Sequence, residues 1–283
     1  MLNNKYRGSK RYIVCILAIF ICILLLGVDI VRYNKAAQEQ GKVVTSFNNK
    51  QLELNEQKKK QEEEPIKALK IYDGLVISTL GDSITRQGKW QQSVVSELGF
   101  SKYSNDGKDG STVSGMSPNA MWQDVRINEI PKGCNVILFM GGSNDWAQSV
   151  PLGNIDNTDI NTFFGALKIL YSKLVFRFPN SEIVFMSTTF GMLPNHNGFK
   201  DKTGLVNNIG LMNIDYGKAI GQFSSVQKIP FIDLTNCGWN KDNIATYVTN
   251  DGGGYLHPNK EGANKMAEVI VSRLRAIKST ASK

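Results

Sequence analysis

The longest apolar stretch of the chain comes first. From Tyr12 to Val28 no charged residue interrupts YIVCILAIFICILLLGV, and Ile30 and Val31 extend the run past Asp29. As a helix rising 1.5 Å per residue it would measure roughly 25 to 30 Å, about the thickness of a hydrocarbon core. Residues 32–70 lose this character: they are rich in Gln, Lys and Glu, poor in aromatics, and include the block KKKQEEE before Pro65. Such a segment reads as a solvated stalk, partly helical at best. From residue 71 onward a third pattern takes over. Short β-branched or apolar runs at Leu75–Thr79, Val136–Met140, Ile183–Ser187 and Phe231–Leu234, with a weaker one at Lys102–Ser104, predict strands. Amphipathic stretches at Trp90–Leu98, Thr162–Phe178, Leu205–Phe223 and Glu261–Ile277 predict helices between and after them. In the last, Ala263, Met266, Ala267, Ile270, Val271, Leu274 and Ile277 recur at helical spacing. Strand and helix in alternation predict an α/β fold: a three-layer α/β/α sandwich around a mainly parallel sheet of about five strands, preceded by one transmembrane helix.

Charge sharpens the N-terminal reading. The chain of 283 residues has 33 basic and 25 acidic side chains, a formal charge of +8, yet residues 1–70 hold 13 of the basic and 7 of the acidic ones. Residues 71–283 are left with 20 against 18, only +2, which argues against a nucleic-acid partner for the folded part. Lys5, Arg7, Lys10 and Arg11 form a basic tail over residues 1–11 that should stay cytoplasmic while the anchor at 12–31 carries the rest across. The run is longer than the apolar region of a usual signal peptide and no A-x-A-like site follows, so an uncleaved signal anchor is expected. Neither Cys15 nor Cys22 has the small residues before it that a lipidated cysteine requires. Cys134 and Cys237 flank different strands at opposite ends of the expected sheet, too far apart for a disulfide, and are expected as free thiols. With two histidines and two separated cysteines in the outer domain, no metal or other cofactor is expected, and neither a G-x-G-x-x-G nor a G-x-x-x-x-G-K-[ST] phosphate motif occurs.

In an open parallel sheet the site gathers at the carboxyl ends of the strands. The segments there are Gly81-Asp82-Ser83-Ile84-Thr85, then Asn105-Asp106-Gly107-Lys108-Asp109-Gly110-Ser111-Thr112, then Gly141-Gly142-Ser143-Asn144-Asp145. Leu256-His257-Pro258-Asn259 stands near the C-terminus, opening the last predicted helix. Together they offer what acyl transfer needs: a hydroxyl nucleophile, an imidazole base and amide donors for a developing oxyanion. A serine after a strand also serves as a helix N-cap, and Ser83 admits that reading. His196, in the polar loop LPNHNG, is the other candidate base, without a supporting motif. Asp82 and Asp145 read as loop-bracing acceptors.

In order and spacing, these four segments resemble the blocks of the SGNH hydrolases, the GDSL-type esterases, over about residues 72–278. The resemblance implies a flavodoxin-like sandwich and a site in which Ser83 is the nucleophile and His257 the base. The Ser83 and Gly110 amides and the Asn144 side chain would form the oxyanion hole. Glycine at 110 is read as allowing close backbone approach to the substrate. One position departs from the pattern. The family places its third triad residue three before the histidine, where this chain has Gly254, and the nearest upstream carboxylate is Asp251, six before. Three intervening glycines would let Asp251 fold back onto His257 Nδ1; alternatively a backbone carbonyl orients the ring and the site is a Ser-His dyad.

Trp146 and Tyr255 are candidate substrate contacts, and for these and Trp239 stacking on a sugar and core packing are the two readings. An outward-facing esterase on a stalk is placed to remove O-acetyl or other short acyl groups from cell-envelope or capsular carbohydrate. An O-acyltransferase to glycans using the same site, and a non-catalytic envelope-binding or assembly module with a decayed triad, are the competing expectations.

Overall fold

The structure, a computed structural model, describes residues 70–281 except Met116, Gly198 and Lys200, together with helical residues Lys35, Gln38, Lys42, Thr45, Ser46 and 49–56. The chain divides into two units, Met1–Leu69 and Lys70–Lys283. In the first, the described residues of the predicted stalk are helical. The expected basic tail and membrane span lie outside the described residues, and among the described ones no helix is long and apolar enough to cross a membrane.

The second unit is built on a five-stranded, wholly parallel sheet in the order β2-β1-β3-β4-β5. Its strands are β1 (Val76–Gly81), β2 (Lys102–Gly107), β3 (Val136–Met140), β4 (Glu182–Met186) and β5 (Phe231–Ile232). Every residue of β3 is buried, as expected of a central strand covered on both faces. Alternation sends Val136, Leu138 and Met140 into one core and Ile137 and Phe139 into the other. The first core is closed by α2 (Gln91–Leu98) and α8 (Lys260–Ala281), whose Met266, Ile270 and Leu274 have no exposed surface. The second is closed by α5 (Phe163–Arg177) and α6 (Asn213–Gln227) through residues such as Leu170, Leu174, Ile220 and Phe223. Each large apolar side chain so buried contributes roughly 1.5–3 kcal/mol. Strand β2 is the polar edge, KYSNDG, with no buried residue, which is why its hydrophobic signal is weak.

This strand order reverses direction at β1: the chain moves outward to β2, then returns to β3 on the other side. The crevice at such a switch point, beyond the carboxyl ends of the strands, is where ligands bind in doubly wound sheets. Short helices α1 (Ser83–Arg86) and α4 (Ser143–Ala147) start there, directly after β1 and β3. Two further short helices are α3 (Asp124–Ile127) and α7 (Ile244–Tyr247).

Two elements differ from the sequence pattern. Helix α6 starts at Asn213, eight residues after the predicted start, because side chains claim amides at 205, 206, 209 and 211. Asp201 accepts from Leu205 and Val206, while buried Asn207 accepts from Ile209 and Leu211. Second, His257 does not open the last helix. It lies on a strand, β7 (Gly254–Pro258), paired antiparallel with β6 (Val248–Asp251); helix α8 starts at Lys260, with Asn259 Oδ1 accepting the Gly262 amide at 3.1 Å. Cys134 and Cys237 are free and buried, and burial pushes their thiols up to about 11 and about 12.

Candidate active site

Strand β1 ends in Gly81, and the next residue fixes the turn. Asp82 adopts an extended backbone and its Oδ1 accepts the Ile84 amide at 3.0 Å, so Asp82 caps helix α1. The capping role open to Ser83 is therefore already filled, and Ser83 is the first helical residue, where an amide has no intrahelical acceptor. Its Oγ lies 2.9 Å from His257 Nε2. His257 Nδ1 in turn lies 2.5 Å from Asp251 Oδ2. His196 packs its ring against Phe199 at 4.8 Å instead, so of the two histidines it is His257 that stands at Ser83.

Asp251 comes from the far strand of the hairpin. The loop between β6 and β7 is Gly252-Gly253, with φ of +65° and +97°. Two consecutive positive φ values are the requirement of the tight turns that match strand twist, and only glycine adopts them without strain.

A second group of residues follows strands β2 and β3, and its first loop is tied to the end of β1 by the Lys108 amide, which donates to Gly81 O at 3.1 Å. Gly110 sits in a turn closed by the Ser111 amide donating to Lys108 O at 3.3 Å, with φ +69°. A Cβ built at Gly110 would meet nothing within 4 Å, so glycine is required there by the left-handed backbone and not by crowding inside the protein. Crowding belongs to Gly107, where a Cβ would stand 2.3 Å from the Arg86 backbone nitrogen. Asn144 Nδ2 donates to Ser111 O at 2.9 Å, and buried Asp145 accepts from the Val113 amide at 2.8 Å and from the Ser114 amide and hydroxyl at 3.0 and 2.6 Å. These bonds fasten the loop carrying Gly110 to the helix carrying Asn144. Burial pushes Asp82 up to about 7, with the nearby Asp145 charge adding to it and the Ile84 amide opposing it. Burial likewise raises Asp145, against its hydrogen bonds to Ser114 and Val113.

Trp146 is not a substrate platform. It is fully buried, with its Nε1 donating to Leu211 O at 3.1 Å and its ring edge-on to Phe199 at 5.0 Å. Trp239 is also buried, donating to Phe190 O at 3.0 Å and stacked on Tyr247. Tyr255 is partly buried, and its hydroxyl accepts from Asn250 Nδ2 at 3.1 Å.

Two basic residues that sequence reasoning did not single out also join the site's elements. Buried Arg126 donates through Nη2 to Gly81 O at 3.1 Å and Asp106 O at 2.7 Å, tying the ends of β1 and β2 together. Lys89 Nζ donates to Pro258 O at 3.1 Å, joining the segment after Ser83 to the end of β7. Neither lies in a motif, and the partners are carbonyls, which leave no trace in residue type.

Residues 79–265 match the GDSL-like Lipase/Acylhydrolase family, a span that includes Ser83, Gly110, Asn144, Asp251 and His257. The chain belongs to this family. A crystal structure of a Lactobacillus plantarum protein superposes on this GDSL-like acylhydrolase with a TM-score of 0.63 at 27% identity, covering 72% of this chain and 98% of that one. The structure of a possible lipase from Chitinophaga pinensis superposes with a TM-score of 0.57 at 18% identity, covering 72% and 98%, and shares the fold. Among curated proteins none matches this chain.

Proposed function

We propose that this GDSL-like acylhydrolase is a serine esterase held on the outer side of a cell membrane, and that it removes O-acetyl or other short acyl groups from cell-envelope or capsular carbohydrate. The observation that carries the reading is the continuous chain Ser83 Oγ, His257 Nε2 and Nδ1, Asp251 Oδ2, with links of 2.9 and 2.5 Å. With Nδ1–H donating to Asp251, Nε2 is left to accept the Ser83 proton. Oγ then adds to the ester carbonyl carbon, the proton moves to Nε2, and the carbonyl oxygen becomes an oxyanion. Its donors would be the Ser83 and Gly110 amides and the second N–H of the Asn144 side chain, the first being held by Ser111 O. Collapse breaks the bond to the sugar oxygen, which takes the proton from Nε2. Water, deprotonated by His257, then releases the acid and returns the proton to Ser83.

Asp251 in contact with His257 favours this reading over a decayed, non-catalytic site. The membrane placement rests on the apolar run at 12–31 and the basic residues before it, and the carbohydrate substrate on the position that an anchor and stalk would give the domain. The test is release of acetate from defined O-acetylated glycans by the full chain, with and without acceptor sugars. Hydrolysis predicts free acetate in both cases; acetate moved to the acceptor would assign the acyltransferase reaction instead. No turnover of the glycans or of p-nitrophenyl acetate above a Ser83→Ala control would sink the esterase reading.

A further inference from the structure

The hairpin that delivers Asp251 contains an irregularity that decides where His257 points. Asp251 pairs with Gly254 and Asn250 with Tyr255, but Val248 pairs with Pro258, so β7 has one more residue than β6 between these two pairs. In a regular antiparallel ladder, directly opposed residues share a face and faces alternate along each strand. Continuing the register of the tip would place His257 on the face of Tyr255 and Asn250, opposite to that of Asp251. The extra residue breaks the alternation within Leu256-His257, as a β-bulge does, and the imidazole is thereby brought to the Asp251 side.

A bulge re-aims a side chain usefully only if the register beyond it is held. Here one side chain bonds to both sides of the tip. Asn250 Oδ1 accepts the Gly253 amide at 2.8 Å and its Nδ2 donates to the Tyr255 hydroxyl at 3.1 Å, so it bridges the turn and the opposite strand at once. Tyr255 is itself anchored outside the hairpin, exchanging backbone bonds with Met192 at 2.7 and 2.9 Å. Gly254 is pressed against Leu193, whose Cδ2 lies 2.8 Å from where a Cβ would be. Asp251 is paired with Gly254 through the backbone, and across the glycines at 252 and 253 the Asn250 side chain adds a bond to the turn itself.

We propose that Asn250 is a positioning residue: through Gly253 and Tyr255 it locks the bulged hairpin in the register that sets Asp251 against His257 Nδ1. This assignment rests on the Ser-His-Asp reading above. It explains how an acid six residues from the histidine can occupy a place usually filled from three residues away.

The test is a double-mutant cycle in the full chain, with p-nitrophenyl acetate as substrate. Asn250→Ala is expected to lower kcat about tenfold, the scale of one or two lost neutral hydrogen bonds, with KM unchanged. Tyr255→Phe, which removes only the acceptor hydroxyl, should lower it in the same direction and by less. In the Asp251→Asn background, Asn250→Ala should change kcat by less than about twofold, since the group it positions is gone. An equal loss in both backgrounds would show a general structural role and overturn the proposal, as would unchanged kcat in the native background. A second readout needs no turnover. The proton shared by His257 Nδ1 and Asp251 should give a far-downfield proton resonance that Asn250→Ala broadens or removes, also in Ser83→Ala protein; an unchanged resonance would overturn the assignment. Undiminished turnover by Ser83→Ala, with that resonance still sensitive to Asn250, would instead overturn the esterase reading and leave the hairpin's role standing.

Discussion

Asp251 and His257 are separated by six positions in the chain and by 2.5 Å in space, joined through a two-glycine turn and a bulged strand pair. The carboxylate is exposed at a hairpin tip, while the imidazole is partly buried over Ser83. If this contact orients the ring in the tautomer catalysis needs, Asp251→Asn should lower kcat by several orders of magnitude, about 10⁴-fold where such a residue has been replaced in other triads. Steady-state kinetics check it, and near-normal activity would show that a dyad suffices.

Asn144 tests the oxyanion donors separately from the triad. Its amide is held by Ser111 O at 2.9 Å, so the remaining N–H has a fixed direction. Asn144→Ala should lower kcat about 10²- to 10³-fold with little change in KM, because the donor acts on charge that develops only in the transition state. A rise in KM at constant kcat would assign Asn144 to ground-state binding.

Two glycines in one loop should respond differently to a methyl group. At Gly107 a Cβ would strike the Arg86 backbone at 2.3 Å, so Gly107→Ala should lower the melting temperature or prevent folding. At Gly110 there is room for the methyl but the φ of +69° disfavours it, by about 1–2 kcal/mol. Gly110→Ala should fold, with kcat reduced more than stability as its amide turns away. Thermal melts and kinetics on both variants check this; equal loss of melting temperature would contradict it.

Asp82 should make stability depend on pH. Its folded-state pKa is raised by burial from 3.8 to about 7, so between these values the folded protein holds a proton that the unfolded chain releases. The contribution is fully present below about pH 4 and is lost as pH rises through about 7. Asp82→Asn keeps the acceptor that caps α1 and removes the titration. It should flatten the pH dependence of the melting temperature and raise it relative to the native protein at pH 8, and identical slopes for the two proteins between pH 5 and pH 8 would contradict this.

Much of this molecule was legible in its sequence because burial writes itself into residue type. Strands β1, β3 and β4 are covered on both faces, and their apolar runs stand out; α8 repeats Met266, Ile270 and Leu274 on one face. Ser83, Gly110 and Asn144 follow β1, β2 and β3 in short polar blocks, where topology alone would direct attention, whereas His257 was legible only through its LHPN block. What stayed hidden depends on side chains that bond to backbone. Asn207 and Asp201 replace a helical turn with a loop, moving the start of α6, and both look like ordinary polar residues. The β6–β7 hairpin, VTND-GG-GYLHP, lacks apolar alternation, although its Gly-Gly turn was a visible signal. Trp146 shows the converse: its neighbourhood in sequence suggested substrate, and its zero exposure assigns it to the core.

The role proposed for Ser83 is to carry the acyl group between two half-reactions. The most direct measurement is to mix the full chain with p-nitrophenyl acetate, quench with acid within the first turnover, and locate the acetyl group by peptide mass spectrometry. One acetyl group is expected on the peptide containing Ser83, absent from Ser83→Ala and His257→Ala proteins. Label on another residue, or turnover by Ser83→Ala equal to that of the native chain, would contradict it.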